Sequence, residues 1–461
     1  DFSVLDGVIL GARANNLHLV LLWFGSWKNG ESTYAPDWVK RDFKRFPRTQ
    51  RAEGESVEVL SPFSDANRDA DARAFAALMR HVKAVDGQGH TVVMIQVENE
   101  IETCDRSPVA REAFAAQAPK ELMDFLQRRK DALAPELRQA WEAAGFKTSG
   151  TWEEVFGQSA AAGEIAMGWT FARYVGRVAE AGKAEYPIPM YVNSPGSGFR
   201  RGPRATSPCG GAPMPDLIDV WQAGAPKIDI FSPDIYGGDY PLMCARYTRS
   251  GNPLFIPETR GFPPNNMAAR ALYAFGRHDA IGFSLMGVER PPVPDIELTS
   301  VYDIIRQLAP LISAHQGDGT MSAVTVGAKD PPQKVKVGTW TLEVSFVMPR
   351  TQPPEPPPAT PIWNAAAIFI QTGPEEFYAA GTGVNVRFIP NTPGPALAGL
   401  ATVEEGVFVN GRWVPGRRMA GDDTGSRSLV LPRLHDEPVE HPARFGPSQK
   451  GVQRVTLYRF E

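Results

Sequence analysis

The sequence predicts an α/β fold of parallel βα units followed by a separate antiparallel β-sandwich. Three observations predict it. Over roughly the first 320 of the 461 residues, short apolar runs alternate with segments whose apolar residues recur at helical spacing, the pattern of βα units. From about Ala323 the helical spacing gives way to short runs rich in Val, Thr, Phe and Tyr, the pattern of antiparallel strands. Two apolar runs of the first part, HTVVMIQVENEIE (90–102) and PLFIPE (253–258), end abruptly in glutamates. Carboxylates at strand ends suit a site at one edge of a parallel sheet.

Taken in order, residues 5–16 read as a helix and 17–24 (LHLVLLWF) as a buried strand, followed by a polar loop to residue 62. Residues 70–85 carry Phe75, Leu78, Met79 and Val82 at helical spacing, and the strand ending at Glu100 follows. An Ala-, Glu- and Arg-rich insertion with helical periodicity occupies about 104–163. Beyond it come a helix at 165–182, a strand at 189–193 (PMYVN) and a Gly/Pro/Ser-rich loop at 194–215. A helix at 217–223, strands at 228–236 and 254–258, a helix at 267–276 and a strand at 282–288 complete the first domain, 1–320. In the second, 321–461, strand-like runs fall at 336–347, 366–371, 385–389, 407–414 and 452–460. Asn410–Gly411 marks a tight hairpin turn. The Pro-rich stretch 353–361 reads as a loop, because proline cannot donate to a sheet ladder.

Composition narrows the function. Lys plus Arg number 48 against 52 for Asp plus Glu, a balance that offers nothing to nucleic acid or to an anionic membrane surface. No apolar run approaches the ~20 residues of a membrane span. The three cysteines (Cys104, Cys209, Cys244) leave at least one unpaired and lack metal-site spacing. Ten tryptophans fit an enzyme that stacks sugars, although most are expected in the core. No cofactor is called for.

Two glutamates on two strand ends are what a retaining glycosidase requires: one protonates the leaving oxygen, and the other attacks the sugar carbon from about 5–5.5 Å away. QVENE (96–100) resembles the acid/base motif of the family 35 glycoside hydrolases, the β-galactosidase family of a large clan of eight-fold (β/α)8 TIM-barrel enzymes. WFGSW (23–27), SPDIY (232–236), PLFIPE and ALYAFGRHDAIGFSLMGVE (271–289) extend the likeness along nearly the whole chain, toward the bacterial branch with an extra C-terminal β domain.

The resemblance implies Glu100 as acid/base, Glu258 as nucleophile and Asn99 as the amide that meets the sugar 2-hydroxyl. Read from the residues alone, Glu100 serves equally as a helix cap or an arginine partner, and Glu258 as a partner of Arg260. Glu98 is left structural, because alternation along the strand turns it away from the side of Asn99. Trp23 and Trp27 are candidate sugar-stacking faces, Tyr236 a donor to the nucleophile, Asn193 a strand-end contact and Glu289 a polar contact in place of a tryptophan common in the clan. The chain departs from better-known members at Gly25, Ser26 and Lys28, where they carry an acid for galactose hydroxyls. The family places the acid/base after the fourth barrel strand, but only one strand precedes Glu100 here, so the first two βα units are expected to be missing.

The function expected is retaining exo-hydrolysis of terminal β-galactosides on oligosaccharides or polysaccharide side chains, with a periplasmic or secreted location implied by the resemblance. The alternatives are β-glucosidase, β-xylosidase or endo-galactanase activity, or a catalytically silent carbohydrate-binding protein.

Overall fold

The computed structural model describes residues 1–30, 32–158, 160–195, 210–260, 267–287, 296–347, 364–419, 427–431 and 452–461. The chain forms two compact units, Asp1–Pro257 and Glu258–Glu461. The division therefore falls inside the strand that carries Glu258, and not at the change of composition near residue 320.

The first unit opens with a helix, Ser3–Ala14, and strand β1, Leu19–Lys28. The stretch expected to be loop up to residue 62 contains a short helix, Asp37–Arg41, and an antiparallel ribbon of β2 (Arg48–Gln50) and β3 (Ser56–Leu60). These pieces are too short to show a hydrophobic period. They are held by a small core of their own, Ala35, Val39, Phe46 and Leu60.

Helix Asp65–Asp86 follows. Ser64 caps it by accepting the Asn67 N–H at 3.3 Å, which satisfies one of the unpaired donors of the first turn. At its other end the buried Asp86 accepts the Val92 N–H at 2.6 Å and pairs with Arg13 at 2.6 Å. That fastens the helix to the start of β4, Val92–Asn99. The insertion holds helices Pro108–Ala115, Lys120–Arg128, Pro135–Ala143 and Trp152–Phe156. The long helix Ala160–Glu185 then packs on Asp65–Asp86. A Cβ on Gly182 would lie 2.2 Å from the Phe75 ring, so only glycine permits this approach. Strands β5 (Met190–Pro195) and β6 (Ile230–Ile235) and the start of β7 (Phe255–Thr259), as far as Pro257, complete the unit, with helices Ile218–Gly224 and Tyr240–Tyr247 between them.

The main sheet runs in the order β1-β4-β5-β6-β7-β8, where β8 is Gly282–Leu285. Among the described residues it thus has six strands, against the eight of a closed barrel. The pairs β1/β4, β4/β5 and β5/β6 are parallel. Met94, Tyr191, Ile230 and Phe255 form a core on one face of this sheet, with Tyr191 edge-on to Phe255 at 5.0 Å. Cys104 is disulfide-bonded, and Cys244 is buried and forms no disulfide.

Besides β8, the second unit holds, among the described residues, helices Met267–His278 and Ile296–His315 and ten further strands. These are β9 (Met321–Gly327), β10 (Gln333–Val337), β11 (Trp340–Phe346), β12 (Asn364–Gly373), β13 (Glu376–Thr382), β14 (Val384–Pro390), β15 (Leu397–Val409), β16 (Arg412–Met419), β17 (Ser428–Leu431) and β18 (Val452–Phe460). They form two antiparallel sheets, β10-β11-β14-β17 and β16-β15-β18-β13-β12-β9. Val337, Trp340, Leu342 and Val386 of the first share one core with Val326, Phe369, Phe377 and Val455 of the second. Asn410 and Gly411 take φ of 50° and 74° between the paired Val409 and Arg412, the backbone that the NG hairpin signal requires. The run expected as one strand at 336–347 is divided by a turn at Gly338, φ 53°. The Pro-rich stretch 353–361 lies outside the described residues. Among those described, no helix is long and apolar enough to cross a membrane.

Candidate active site

Parallel pairing puts the ends of β1, β4, β5 and β6 on one edge of the sheet, and the candidate residues of the first unit gather there. The geometry begins with a break in β4. Glu98 and Glu100 both adopt positive φ, 62° and 45°, a region that side-chain-bearing residues seldom enter. The register against β1 jumps at the same place, from Trp23 opposite Val97 to Lys28 opposite Asn99. The cause is Glu98. Its carboxyl turns into the backbone of β1, where it accepts the Ser26 N–H at 3.0 Å and the Trp27 N–H at 2.8 Å. Strand alternation therefore fails at this end, and Glu98 is fully buried.

Asn99 is also buried. The Lys28 ammonium donates to its side-chain oxygen, and its carbonyl accepts the Asn29 N–H at 3.0 Å. The Asn99 amide oxygen is thus engaged by a cation. Glu100 is half-buried, and its backbone N–H donates to Asn193 Oδ1 at 2.9 Å. Asn193 Nδ2 in turn donates to Asp234 Oδ2 at 2.7 Å. Three strand ends are linked in this way through Glu100, Asn193 and the buried Asp234. Asp234 was not singled out by the sequence, although it sits within SPDIY as an acid in an otherwise apolar strand.

Beneath this edge lies a buried polar cluster. Asp71 Oδ1 accepts the Trp23 indole N–H at 2.9 Å, and Oδ2 accepts the Ser26 hydroxyl at 2.8 Å. Ser26 Oγ also meets Tyr174 OH at 2.7 Å. Burial first, and then the neighbouring Asp71 charge, push the Glu98 carboxyl well above the usual carboxylate range, against the pull of the two backbone N–H groups. Burial likewise raises the Tyr174 phenol. Sequence reasoning missed Asp71 and Tyr174. A signal exists for Asp71, which occupies the buried stripe with Phe75, Met79 and Val82 on its helix, a place where an acid needs partners.

Trp27 departs from its expected role. It is fully buried, its ring meets Phe171 and Tyr174 edge-on, and its N–H donates to the Leu60 carbonyl at 3.1 Å. It is a core residue with no face left for a sugar, because Glu98 draws its backbone inward. Trp23 commits its N–H to Asp71 and packs on Phe75 at 5.5 Å, so it too faces the helix Asp65–Asp86 instead of offering a stacking platform. Tyr236 lies just past β6, half-buried. Glu258 is the fourth residue of β7, half-buried in the second unit. Glu289 lies outside the described residues. No group of three or more His, Cys, Asp or Glu among the described residues is arranged to hold a metal.

Residues 298–430 match a family described as a domain of unknown function, DUF5597. No curated protein matches the chain. Among solved structures, the chain is similar to a β-galactosidase from Bacillus circulans sp. alkalophilus, at 17% identity and a TM-score of 0.40, over 68% of this chain and 49% of that one. It is similar to an intracellular xylanase from Thermoanaerobacterium saccharolyticum, at 12% identity and a TM-score of 0.30, over 66% and 67%. It is also similar to an exo-carrageenase of family GH42 from Bacteroides ovatus, at 9% identity and a TM-score of 0.43, over 98% and 77%. The chain spans less than half the length of the β-galactosidase chains it matches.

Proposed function

We propose that this chain belongs to a retaining glycosidase that releases terminal β-galactose by double displacement, with Glu100 as acid/base and Glu258 as nucleophile. The observation that carries the reading is the end of β4. There the Glu100 backbone is held by Asn193 of β5, and the buried Asn99 beside it is held by the Lys28 ammonium. An acid/base must stand still while the sugar moves through its transition state, and the Glu100 backbone is held by Asn193, itself held by Asp234. With its oxygen engaged by Lys28, the Asn99 amide is oriented to donate through nitrogen to a sugar hydroxyl, a bond that strengthens as oxocarbenium character develops. Glu100 protonates the leaving oxygen in the first step and deprotonates water in the second. The same reading gives Tyr236 the role of donor to the nucleophile.

The assignment to family 35 rests on the QVENE likeness. The reading also places two further βα units beside β1. In its support, β1 is the first strand of the sheet order and shows Val20 and Leu22 at 36% and 51% exposure, although strands of parallel sheets are ordinarily covered on both faces. A periplasmic or secreted location agrees with a disulfide at Cys104. The experiment is hydrolysis of a matched set of chromogenic β-glycosides. Galactoside turnover at least tenfold above glucoside and xyloside supports the reading. Preference for either of the others moves the substrate assignment, and no turnover of any leaves a carbohydrate-binding protein.

A further inference from the structure

The buried cluster beneath the Asn99–Glu100 edge has no part in bond making or breaking, yet it contains two carboxyls. Asp71 and Glu98 are 7% and 0% exposed, and among the described residues neither makes an ion pair. Two unpaired buried anions side by side are costly, so the cluster has a strong reason to keep a proton. The donors around it indicate where. Asp71 accepts from Trp23, Ser26 and Tyr174, as a carboxylate does. On Glu98, Oε2 takes the Trp27 N–H, and Oε1 only shares the Ser26 N–H, which leaves Oε1 as the seat of the proton.

We propose that Asp71 and Glu98 share one proton, and that in this form they act as positioning residues that lock the end of β1 against the Asn99–Glu100 turn. The path is continuous. Glu98 holds the amides of Ser26 and Trp27, and two residues on, Lys28 and Asn29 hold the side chain and carbonyl of Asn99. Gly25 leaves the room this needs, since a Cβ there would sit 2.3 Å from Asp71 Oδ1. The titratable groups that face Glu98 are Asp71 from helix Asp65–Asp86 and, close by, Tyr174 from helix Ala160–Glu185. Burial keeps Tyr174 a phenol, so Asp71 is the charged neighbour. A second charge, gained when Glu98 ionises, makes the two carboxyls repel and loosens the clamp.

The role as a positioning pair rests on the proposed catalytic reading, and the test separates the two. Amide hydrogen exchange is followed at Asn29 and Glu100, together with kcat and KM on the chromogenic galactoside, for the wild type, Glu98→Gln, Glu98→Ala and Asp71→Asn. Glutamine imitates the protonated acid, so Glu98→Gln should keep the wild-type protection at both amides and a kcat within about threefold. Glu98→Ala should lose at least tenfold in protection at Asn29 and Glu100, and its kcat should fall with little change in KM. In the wild type the protection, corrected for intrinsic exchange, should fall at alkaline pH, and in Glu98→Gln it should stay flat. In Asp71→Asn, Glu98 should ionise at lower pH because the raising charge is gone, and the alkaline fall in protection should shrink because no second charge repels it.

Unchanged protection at Asn29 and Glu100 in Glu98→Ala would overturn the proposal, as would a Glu98→Gln variant as unprotected as the alanine variant. If Glu98→Ala does not fold, Glu98→Gln and its pH profile decide alone. If the wild type hydrolyses no glycoside, the catalytic reading fails, while the exchange results still decide whether the pair clamps the turn.

Discussion

A glutamate whose carboxyl is held above the usual range changes how stability depends on pH, and the sign follows from its surroundings. Burial and Asp71 raise the folded-state Glu98 above its unfolded value. The stabilisation linked to its proton is therefore complete below the ordinary glutamate range and is lost as pH rises toward the raised folded value. Across that window the wild type should lose up to about 1.4 kcal/mol per pH unit relative to Glu98→Gln, read as the difference between their urea midpoints at successive pH values. Equal slopes for the two proteins would mean that Glu98 is ionised throughout. A second residue-scale prediction concerns Gly30. It sits at φ 67° with room for no Cβ, which would lie 2.0 Å from the Glu102 carbonyl oxygen. Gly30→Ala should cost more than ~1 kcal/mol in thermal or urea unfolding. At this scale Glu100, Asn99 and Asn193, read in the sequence from strand ends, lie at one edge of the sheet, where the Glu100 N–H meets Asn193. Sequence reasoning erred on Trp27 because the register jump that buries that ring is made by the Glu98 carboxyl, and no pattern of apolar residues records where a side chain turns.

At the scale of elements, long periodic segments were legible and short ones were not. The helix at 70–85 and the strand at 189–193 appear as Asp65–Asp86 and Met190–Pro195, the helix starting earlier because its capping residues lie outside the apolar period. The ribbon β2–β3 was missed, since three- and five-residue strands show no alternation to count. The NG turn was found because its chemistry is local. Caps are local too. Ser64→Ala should remove the acceptor for the Asn67 N–H and cost about 1 kcal/mol, measured by urea unfolding, and Ser64→Asp should restore it. At the end of helix Met267–His278, burial and then Arg277 lower His278 to about 4. Its neutral form is favoured in the fold, so this contribution is present above the unfolded histidine value of ~6.5 and is lost as pH falls toward 4. His278→Asn should accordingly show a smaller drop in melting temperature between pH 6.5 and 4 than the wild type.

For the whole molecule, the order of parallel strands, then antiparallel sheets, was readable from the change of hydrophobic period alone. The division into units at Pro257 and Glu258 was not, because packing density and not composition decides it. The central claim is that Glu258 becomes covalently glycosylated while Glu100 donates and removes the proton. Incubation with a 2-deoxy-2-fluoro-β-galactoside bearing a good leaving group, followed by digestion and mass spectrometry, tests it most directly, because the fluorine slows the second step and lets the intermediate accumulate. The account predicts one deoxyfluorogalactosyl group per chain, on the Glu258 carboxyl, formed at a comparable rate in Glu100→Ala because the activated leaving group needs no acid, and absent in Glu258→Gln. A label on any other residue, or turnover of the ordinary galactoside with inversion at the anomeric carbon, would contradict it.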